Sequence, residues 1–580
     1  MMSNKIIIVG GGLAGLMCAI KATEQAGTTV DLLSLVPVKR SHSVCAQGGI
    51  NGALDVKHEG DSPYQHFYDS VYGGDFLANQ VPVKKMCDAA PGIIQMFDRM
   101  GVPFNRTPEG NLDFRRFGGA LFARTAFAGA TTGQQLLYAL DEQVRRLETE
   151  GKVTKYEGWD FLSAVINEEG RCVGCIAQDL NTMEVRIFKG DTVVMATGGI
   201  GMVYNKSTNS VINYGSAQSS LYQQGAVYAN GEFIQIHPTA IPGDDKLRLM
   251  SESARGEGGR VWTYKDGKPW YFLEEKYPAY GNLVPRDIAT REIFDVCVNQ
   301  GLGIDGKNEV YLDISHIPAE VLDKKLGGIM EIYEKFKGVD PRKFPMKIFP
   351  GMHYTMGGLW VDYEHMTSIP GLFAIGECDY EYHGANRLGA NSLLSAVFSG
   401  MDAAPYILKY MKENGSAQAS EEIYEKERQR QIQIIDKIYA MNGTENPHKL
   451  HEELGDLMTK YCSVVRHNDE LEKADEMIRD LMRRYQNIEL ADKSKWSNQE
   501  VHFTRRLWDM LELARVIVLG ALNRNESRGA HYKPEFPERD DENWLKTTKA
   551  TWTENGPVFT YAPVDVSLVT PVKRDYTKAH

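Results

Sequence analysis

The sequence predicts a mixed α/β fold, in which an open, mostly parallel sheet is interrupted by an inserted domain and followed by a helical domain. A continuous β-branched run at 5–9 predicts a buried parallel strand, and a glycine cluster and a helix at 13–25 follow it. Strand and helix patterns then alternate from a second strand at 28–35 to about residue 230. Turn formers and aromatic segments then replace this alternation, which resumes near Gly371.

Size and composition limit the protein class. The chain has 580 residues, so two to four structural units are expected. A net charge of -12 argues against a nucleic-acid binder. No apolar run approaches the ~20 residues that span a bilayer, and the first strand begins too early for a signal peptide. We therefore expect any membrane association to depend on a partner.

The eight cysteines are too few for a disulfide framework in so long a chain, which favours a reducing compartment. Cys172 and Cys175 have the spacing of half a metal site. No second pair accompanies them, and their surroundings are typical of a strand, so we predict no metal there.

The domain boundaries follow from changes in pattern along the chain. The segment beyond about residue 420 is rich in Glu and Arg at helical spacing, and the last forty residues contain Pro, Trp and strand-like runs. The predicted units are a first α/β part at 1–230, an inserted domain at 231–352, a second α/β part at 353–420, a helical domain at 421–540 and a C-terminal domain at 541–580.

A glycine motif predicts a Rossmann-like dinucleotide site. Gly10, Gly12 and Gly15 follow a buried strand and open a helix, where they permit a tight turn, a pyrophosphate and close helix packing. The helix amino terminus favours phosphate charge. Ser34 stands where an NAD site usually has an acidic residue, which weakens that interpretation, but these residues alone leave NAD and FAD open.

The segment from Arg40 to Gly49, with His42 inside an Arg-Ser-His sequence, is similar to the flavin-attachment signature of succinate dehydrogenase and fumarate reductase flavoprotein subunits. Further matching blocks lie at 237–239, 252–259, 286–287, 353–358 and 383–389. Details at 36–39, 115–117 and 215–217 most resemble the Bacillus-like branch. The resemblance implies an FAD-binding domain, a mobile α+β capping domain, a helical domain and a small C-terminal domain.

The resemblance also implies which residues bind FAD, with a covalent bond from His42 to the 8α-methyl group. The predicted cofactor-binding residues are Gly10, Gly11, Gly12, Leu13, Ala14, Gly15, Ser34, Lys39, Arg40, Ser41, His42, Ser43, Gln47, Gly48, Gly49, Glu377, Ser392 and Leu393. The covalent bond would raise the flavin potential, which oxidation of succinate requires.

Succinate is a small dianion, and guanidinium and imidazole groups suit its carboxylates. By resemblance, the substrate-binding residues are Phe117, His237, Leu249, Ser251, His353 and Arg387, and the catalytic residues are Arg286, Glu252 and Arg255. Arg286 would exchange the substrate proton, and Glu252 and Arg255 would relay it. The alternative for Arg286 is a salt bridge to Asp287 or Glu292.

Family members pass electrons to an iron-sulfur subunit on a membrane anchor. The Bacillus-like branch implies a cytochrome b anchor, menaquinone as the quinone, and a peripheral position on the cytoplasmic face of the membrane. L-Aspartate oxidase is the nearest alternative, but it lacks the histidine at position 42. A non-catalytic electron-transfer scaffold is another alternative, although Arg286, Glu252 and Arg255 are all present.

Overall fold

The structure is a computed structural model that describes residues 4–416 and 419–579. The predicted segments 1–230, 353–420 and 541–580 include residues 1–3, 417–418 and 580, which lie outside this described part. A five-stranded sheet, parallel throughout, forms the central layer. Its strands, in spatial order, are Leu372–Ala374, Thr192–Met195, Asn4–Val9, Thr28–Ser34 and Val153–Glu157.

The central strand Asn4–Val9 is covered on both faces. Ile6 and Ile8 belong to one apolar core, which also contains residues of the helices Leu13–Ala22, Thr132–Thr149 and Asn391–Asn414. Ile7 and Val9 belong to a second core on the opposite face. This double burial explains the continuous apolar run, because a strand with one solvated face would alternate. The predicted fold class is confirmed.

Two details differ from the sequence-based expectation. The helix predicted over 13–25 ends at Ala22, because the Thr23 hydroxyl donates to the Ala19 carbonyl oxygen at 2.8 Å and Gln25 N–H closes a turn on Ala22. In addition, the alternation of helices and strands does not continue unbroken to residue 230. Three consecutive strands form a separate antiparallel sheet, namely Trp159–Ile166, Cys172–Asp179 and Val185–Lys189.

Cys172 and Cys175 both lie on the middle strand of this antiparallel sheet, as predicted. Both side chains are fully buried and neither is in a disulfide. Burial raises the pKa of the Cys172 thiol to about 12, which keeps it protonated. Within 4–416 and 419–579, no three His, Cys, Asp or Glu side chains converge as metal ligands do.

The segment after residue 230 has its own six-stranded sheet. Its first and last long strands, Ile234–Ile241 and Met346–Thr355, pair antiparallel, so the segment leaves and rejoins the α/β part side by side. The last strand runs past the predicted boundary at residue 352. The remaining elements are the strands Arg248–Leu249, Arg260–Lys265, Lys268–Trp270 and Val310–Asp313 and the helices Ser253–Gly256, Phe272–Lys276, Arg286–Phe294 and Ala319–Lys337.

Helices dominate the chain after residue 420. Their bounds are Glu421–Ala440, Pro447–Tyr461, Asn468–Tyr485 and Gln499–Asn523, with a short helix Asp541–Trp544. The final hairpin Lys546–Thr551 and Val558–Pro563 joins Tyr228–Ala229 and Gly358–Leu359 in a four-stranded sheet. The C-terminal segment is therefore joined to the α/β part by the backbone hydrogen bonds of this sheet.

The α/β part contains further helices and short strands, of which the helix that begins at Ser216 contributes to the wall of the cavity described below. They are the helices Pro63–Gly73, Gln80–Arg99 and Ser216–Gln223 and the short strands Ile50–Asn51, Phe114–Arg115 and Thr125–Ala126. Within the described ranges, we find no helix that combines the length and hydropathy needed to cross a membrane.

Candidate active site

A cavity of about 540 Å³ lies at the carboxyl ends of the parallel strands. Gly10, Ser34, Ala196 and Ile375 all line it, and each ends or directly follows a strand of the central sheet. Open α/β sheets bind ligands at this edge. The inserted segment supplies the opposite wall, so the cavity lies between two parts of the fold.

The glycine motif is built for close approach of backbone. Gly10 has a φ of +121°, and a Cβ there would lie 2.1 Å from the Ala196 carbonyl oxygen. A Cβ on Gly15 would lie 1.9 Å from the carbonyl oxygen of Gly10. Gly10 therefore permits the turn and Gly15 permits the helix to pack on the strand, as the motif predicts.

The polar wall around this turn fits a dinucleotide. Gly12 is the N-cap residue of the helix Leu13–Ala22 and has no side chain to cap it. The positive end of the helix therefore faces the cavity. The segment 41–49 crosses the same wall. The Ser41 hydroxyl and Gln47 Oε1 are buried, with no hydrogen-bond partner among the described residues. Such unpaired polar atoms are costly unless a ligand satisfies them.

His42 lines the cavity within the segment 41–49. Its Nδ1 accepts a hydrogen bond from the backbone N–H of Ser210 at 3.1 Å, and its Nε2 lies 3.5 Å from Asn209 Nδ2. Burial, aided by the charge of Lys246, lowers the pKa of His42 to about 4. The imidazole is therefore neutral at physiological pH.

Most of the predicted cofactor residues lie in the cavity wall, but three do not. Gly15 packs beneath the turn, in contact with Gly10. Lys39 points outward to the carboxylates of Asp141 and Glu142, and Arg40 is exposed. The wall residues are Gly10, Gly11, Gly12, Leu13, Ala14, Ser34, Ser41, His42, Ser43, Gln47, Gly48, Gly49, Glu377, Ser392 and Leu393.

The predicted catalytic residues form a buried chain of ion pairs. Arg286 donates from Nε and Nη2 to Glu252 Oε2, at 3.0 and 2.8 Å. Glu252 Oε1 accepts from Arg255 Nη2 at 2.7 Å. Arg286 and Glu252 line the cavity, while Arg255 lies behind them. Burial alone would raise the pKa of Glu252, but Arg286 and Arg255 outweigh it and hold that pKa below its ordinary value.

The alternative partners of Arg286 are occupied elsewhere. Asp287 pairs with Arg574 at 2.7 Å, and Glu292 pairs with Lys276 and accepts from the Tyr277 hydroxyl at 2.8 Å. The third anchor of Arg286 is Gln235, whose Oε1 accepts from Nη1 at 3.0 Å. Arg286 is therefore held in the cavity wall by neutral and anionic acceptors together.

Two histidine rings meet edge to face in the same wall, with ring centroids 4.9 Å apart. His237 Nδ1 accepts from the backbone N–H of Thr239 at 3.1 Å, and its Nε2 is buried without a partner in the part of the chain described. His353 Nδ1 is 2.7 Å from the Thr208 hydroxyl. Burial and the nearby Arg286 hold the pKa of both imidazoles well below the ordinary value, so both are neutral donors.

Arg387 supplies a further cation. Burial, followed by the charge of Arg286, lowers its pKa to about 9, so it remains charged at neutral pH. Its Nε is buried with no partner among residues 4–416 and 419–579. Ser251, Phe117 and Leu249 complete the wall. An anionic ligand would satisfy the orphaned donors and offset the buried positive charge.

Sequence reasoning missed three residues of the site: Thr208 and Lys246, which line the cavity, and Gln235, which lies behind Arg286. Gln235 contacts Arg286, Thr208 contacts His353, and Lys246 lies close enough to His42 to influence its charge. Gln235 is two residues from His237 on the same strand, and strand periodicity places both on one face. Thr208 and Lys246 lie in irregular segments, where no periodic signal exists.

The family comparisons agree with this geometry. A family model for an FAD binding domain matches residues 5–393, and one for the fumarate reductase flavoprotein C-terminus matches residues 451–576. The chain is 67% identical over 582 residues to the succinate dehydrogenase flavoprotein subunit of Bacillus subtilis (strain 168), covering 100% of this chain and 99% of that protein. The chain belongs to the family of succinate dehydrogenase and fumarate reductase flavoprotein subunits.

Other family members are more distant. The fumarate reductase flavoprotein subunit of Haemophilus influenzae is 34% identical, with coverage of 98% of this chain and 96% of that protein. A solved mutant form of the E. coli quinol fumarate reductase FrdA subunit superposes with a TM-score of 0.93 at 31% identity, with complete coverage of both chains. The higher identity to the Bacillus protein confirms the predicted branch of the family.

Proposed function

We propose that this chain is the catalytic flavoprotein subunit of a succinate:quinone oxidoreductase and interconverts succinate and fumarate. The observation that carries the proposal is one cavity with two functions. One wall is a dinucleotide cradle. The opposite wall holds unpaired hydrogen-bond donors that suit a carboxylate, beside the buried Arg286–Glu252 pair. This combination favours a redox reaction on a small dianion over simple nucleotide binding.

FAD would be held by the glycine turn, the segment 41–49, Glu377, Ser392 and Leu393. When bound, it supplies a hydride acceptor or donor at its ring system. The chain's own residues bind, orient and exchange a proton with the substrate. The unpaired atoms of Ser41 and Gln47 support a polar ligand with hydrogen-bonding groups at this wall.

Two groups of donors would hold the two carboxylates. Arg387 and His353 would bind one, and His237 with Ser251 the other. His237 suits this role because its Nδ1 already accepts from Thr239, so a neutral ring carries its proton on the unpaired Nε2. Phe117 and Leu249 would press on the carbon chain between the two carboxylates.

Arg286 would exchange the proton that succinate loses and fumarate gains. A guanidinium is a weak base in water, with an ordinary pKa above ~12. Here Glu252 contacts Arg286 and Arg255 through different carboxylate oxygens, so a proton that leaves one guanidinium can be replaced through the carboxylate from the other. Gln235 cannot take a proton, so it restricts this exchange to the Glu252 side of Arg286.

His42 would carry the flavin covalently through Nε2, because Ser210 N–H occupies Nδ1. His42 would give up its Nε2 proton for this bond, and FAD, when bound, would supply the oxidising chemistry that the attachment requires. A neutral imidazole is required, and burial keeps the pKa of His42 at about 4.

Electrons would leave through partner subunits. Relatives of this chain are flavoprotein subunits, and the solved neighbour comes from a quinol fumarate reductase. We infer an iron-sulfur subunit and a cytochrome b anchor as partners, and menaquinone as the quinone. The chain would then sit peripherally on the cytoplasmic face of the membrane.

We also propose the domain divisions predicted from the sequence, with 231–352 as a mobile cap over the cavity.

Acid precipitation of the purified chain, followed by flavin fluorescence on a denaturing gel, tests the cofactor assignment. We expect a fluorescent band that maps to the His42 peptide. Succinate and L-aspartate are then compared as electron donors with an artificial acceptor. We expect turnover with succinate and none with L-aspartate. Turnover with L-aspartate and release of all flavin to the supernatant would instead support L-aspartate oxidase.

A further inference from the structure

Three consecutive residues connect the two histidines to which the proposed function assigns separate roles. The Thr208 hydroxyl lies 2.7 Å from His353 Nδ1. Asn209 Nδ2 donates to the His353 carbonyl oxygen at 2.6 Å and lies 3.5 Å from His42 Nε2. The backbone N–H of Ser210 donates to His42 Nδ1 at 3.1 Å. We call residues 208–210 the bridging tripeptide.

Thr208 holds the His353 ring through its Nδ1 atom. Its hydroxyl has two acceptors within reach, His353 Nδ1 at 2.7 Å and the Met352 carbonyl oxygen at 3.2 Å, and it has one proton to donate. Donation to Nδ1 is the arrangement that leaves the ring proton on Nε2, the nitrogen available to a substrate carboxylate. His353 is buried and neutral, so its proton then resides on Nε2, where it can donate to a carboxylate.

Ser210 acts on His42 in the same way, but through its backbone. Because its N–H occupies Nδ1, Nε2 is the nitrogen left for a bond to the cofactor. The Ser210 side chain takes no part in this contact. Thr208 and Ser210 thus orient two imidazoles from a single short segment.

We propose that the bridging tripeptide is a positioning element that couples the substrate-binding imidazole of His353 to the cofactor-attachment imidazole of His42. Asn209 links the two sites, since its amide donates to the backbone carbonyl oxygen of His353 and lies 3.5 Å from His42 Nε2. The inference rests on the proposed function and extends it, because neither the sequence motifs nor the ion-pair chain assigns a role to residues 208–210. The ligand it serves is a C4 dicarboxylate at His353 and FAD at His42.

Single substitutions in the full chain, assembled with its partner subunits, separate the two contacts. Thr208→Val removes the hydroxyl at nearly constant shape. We expect the KM for succinate to rise about tenfold, the loss typical of one hydrogen bond, with kcat and the fraction of covalent flavin unchanged. Thr208→Ser keeps the hydroxyl and should restore the KM.

Asn209→Leu should change both readouts, raising the KM and lowering the fraction of flavin that remains with the chain on a denaturing gel. Ser210→Ala keeps the backbone N–H and should change neither. Total flavin and the thermal unfolding midpoint are measured for each variant. If Asn209→Leu does not fold, Asn209→Ser removes the same amide donor with less volume change and carries the same expectation.

Two results would overturn the inference. The first is a wild-type KM in Thr208→Val, or an equal rise in Thr208→Val and Thr208→Ser. The second is a wild-type covalent fraction in the Asn209 variant that folds. Failure of the proposed function looks different, since the unsubstituted protein would then show no succinate oxidation and no fumarate reduction.

Discussion

Arg286 contacts Glu252 through two nitrogens that share one carboxylate oxygen. Nε and Nη2 lie 3.0 and 2.8 Å from Oε2, while Oε1 of the same carboxylate is left to Arg255 at 2.7 Å. One buried carboxylate therefore holds two guanidinium groups. Removing one partner of such a buried pair commonly costs 3–5 kcal/mol, so this arrangement is expensive to disturb.

Arg286→Lys should lower kcat by about 10²–10⁴-fold, the range typical of a lost general acid or base. A lysine ammonium cannot contact Glu252 twice and Gln235 at once, so the proton donor would be misplaced. Flavin content and the KM for succinate should change little, because the carboxylate donors remain. Steady-state kinetics and flavin quantification check both parts.

Arg260→Lys is the matched control, since Arg260 pairs with Glu274 in the same segment but does not line the cavity. It should retain wild-type kcat. Near-normal turnover in Arg286→Lys would remove Arg286 from the proton path.

His42→Ser should retain FAD without a covalent bond and lose succinate oxidation more than fumarate reduction. The covalent imidazolyl substituent would raise the flavin potential, and succinate, a weak reductant, depends on a high potential. Both directions are assayed on the same preparation with artificial donors and acceptors. An equal loss in both directions would contradict the potential-raising role.

The raised pKa of Glu377 predicts that wild type and Glu377→Gln differ in stability by an amount that depends on pH. Burial raises the pKa of this carboxyl from its ordinary 4.5 to about 7. The folded chain therefore holds the proton more tightly than the unfolded chain. Its contribution to stability is complete below the ordinary pKa and is lost as the pH rises towards 7. Above that pH the wild type must bury a charge, and Glu377→Gln removes this cost.

Thermal unfolding of the flavin-free chain at pH 5 and pH 8 tests this linkage. The midpoint of Glu377→Gln, relative to wild type, should be higher at pH 8 than at pH 5. Glu364→Gln changes an exposed carboxylate paired with Lys409 and serves as the control. A pH-independent difference for Glu377→Gln would show that its carboxyl does not titrate in this range.

The glycine turn predicts loss of cofactor from a small substitution. Gly15→Ala would place a Cβ 1.9 Å from the Gly10 carbonyl oxygen, so the helix and the turn must separate. We expect little bound flavin after purification, measured by absorbance. Gly92→Ala, in the helix Gln80–Arg99, meets nothing within 4 Å and should keep its flavin. Full flavin content in Gly15→Ala would mean that the turn is not the cradle.

Much of the α/β part could be predicted from local sequence patterns. The strand at 5–9 and the glycine turn after it were predictable because a doubly buried strand and a tight turn each restrict residue type. His42, Arg286 and Arg387 are separated widely along the chain, and their spacing says nothing about distance in space. Only the family resemblance, and no periodicity, predicted that these three residues share one site.

Other features depended on contacts that no local pattern encodes. Lys39 and Arg40 lie beside the attachment segment in sequence, but they point outward to Asp141 and Glu142 or to solvent. Arg286 has acidic neighbours in its own helix, but in the folded chain Asp287 forms its ion pair with Arg574 instead. Thr208 contacts His353 from a segment 145 residues away.

Lys246 predicts a salt-dependent effect on substrate capture. It lines the cavity near His42, it is half-buried, and no ion pair to it occurs within the described residues. The chain carries a net charge of -12, which repels a dianion at long range. An unpaired cation at the cavity would offset this repulsion locally and raise the capture rate.

Lys246→Gln should therefore lower kcat/KM for succinate by about fourfold at low ionic strength, the effect of removing one charge ~10 Å from a dianion in water. The difference should disappear near 1 M salt, where the Debye length falls to about 3 Å. Lys307→Gln, an exposed lysine of the same inserted segment outside the cavity wall, should show neither effect. A loss that persists at high salt, or that accompanies reduced flavin content, would mean that Lys246 contacts a ligand directly instead of steering it.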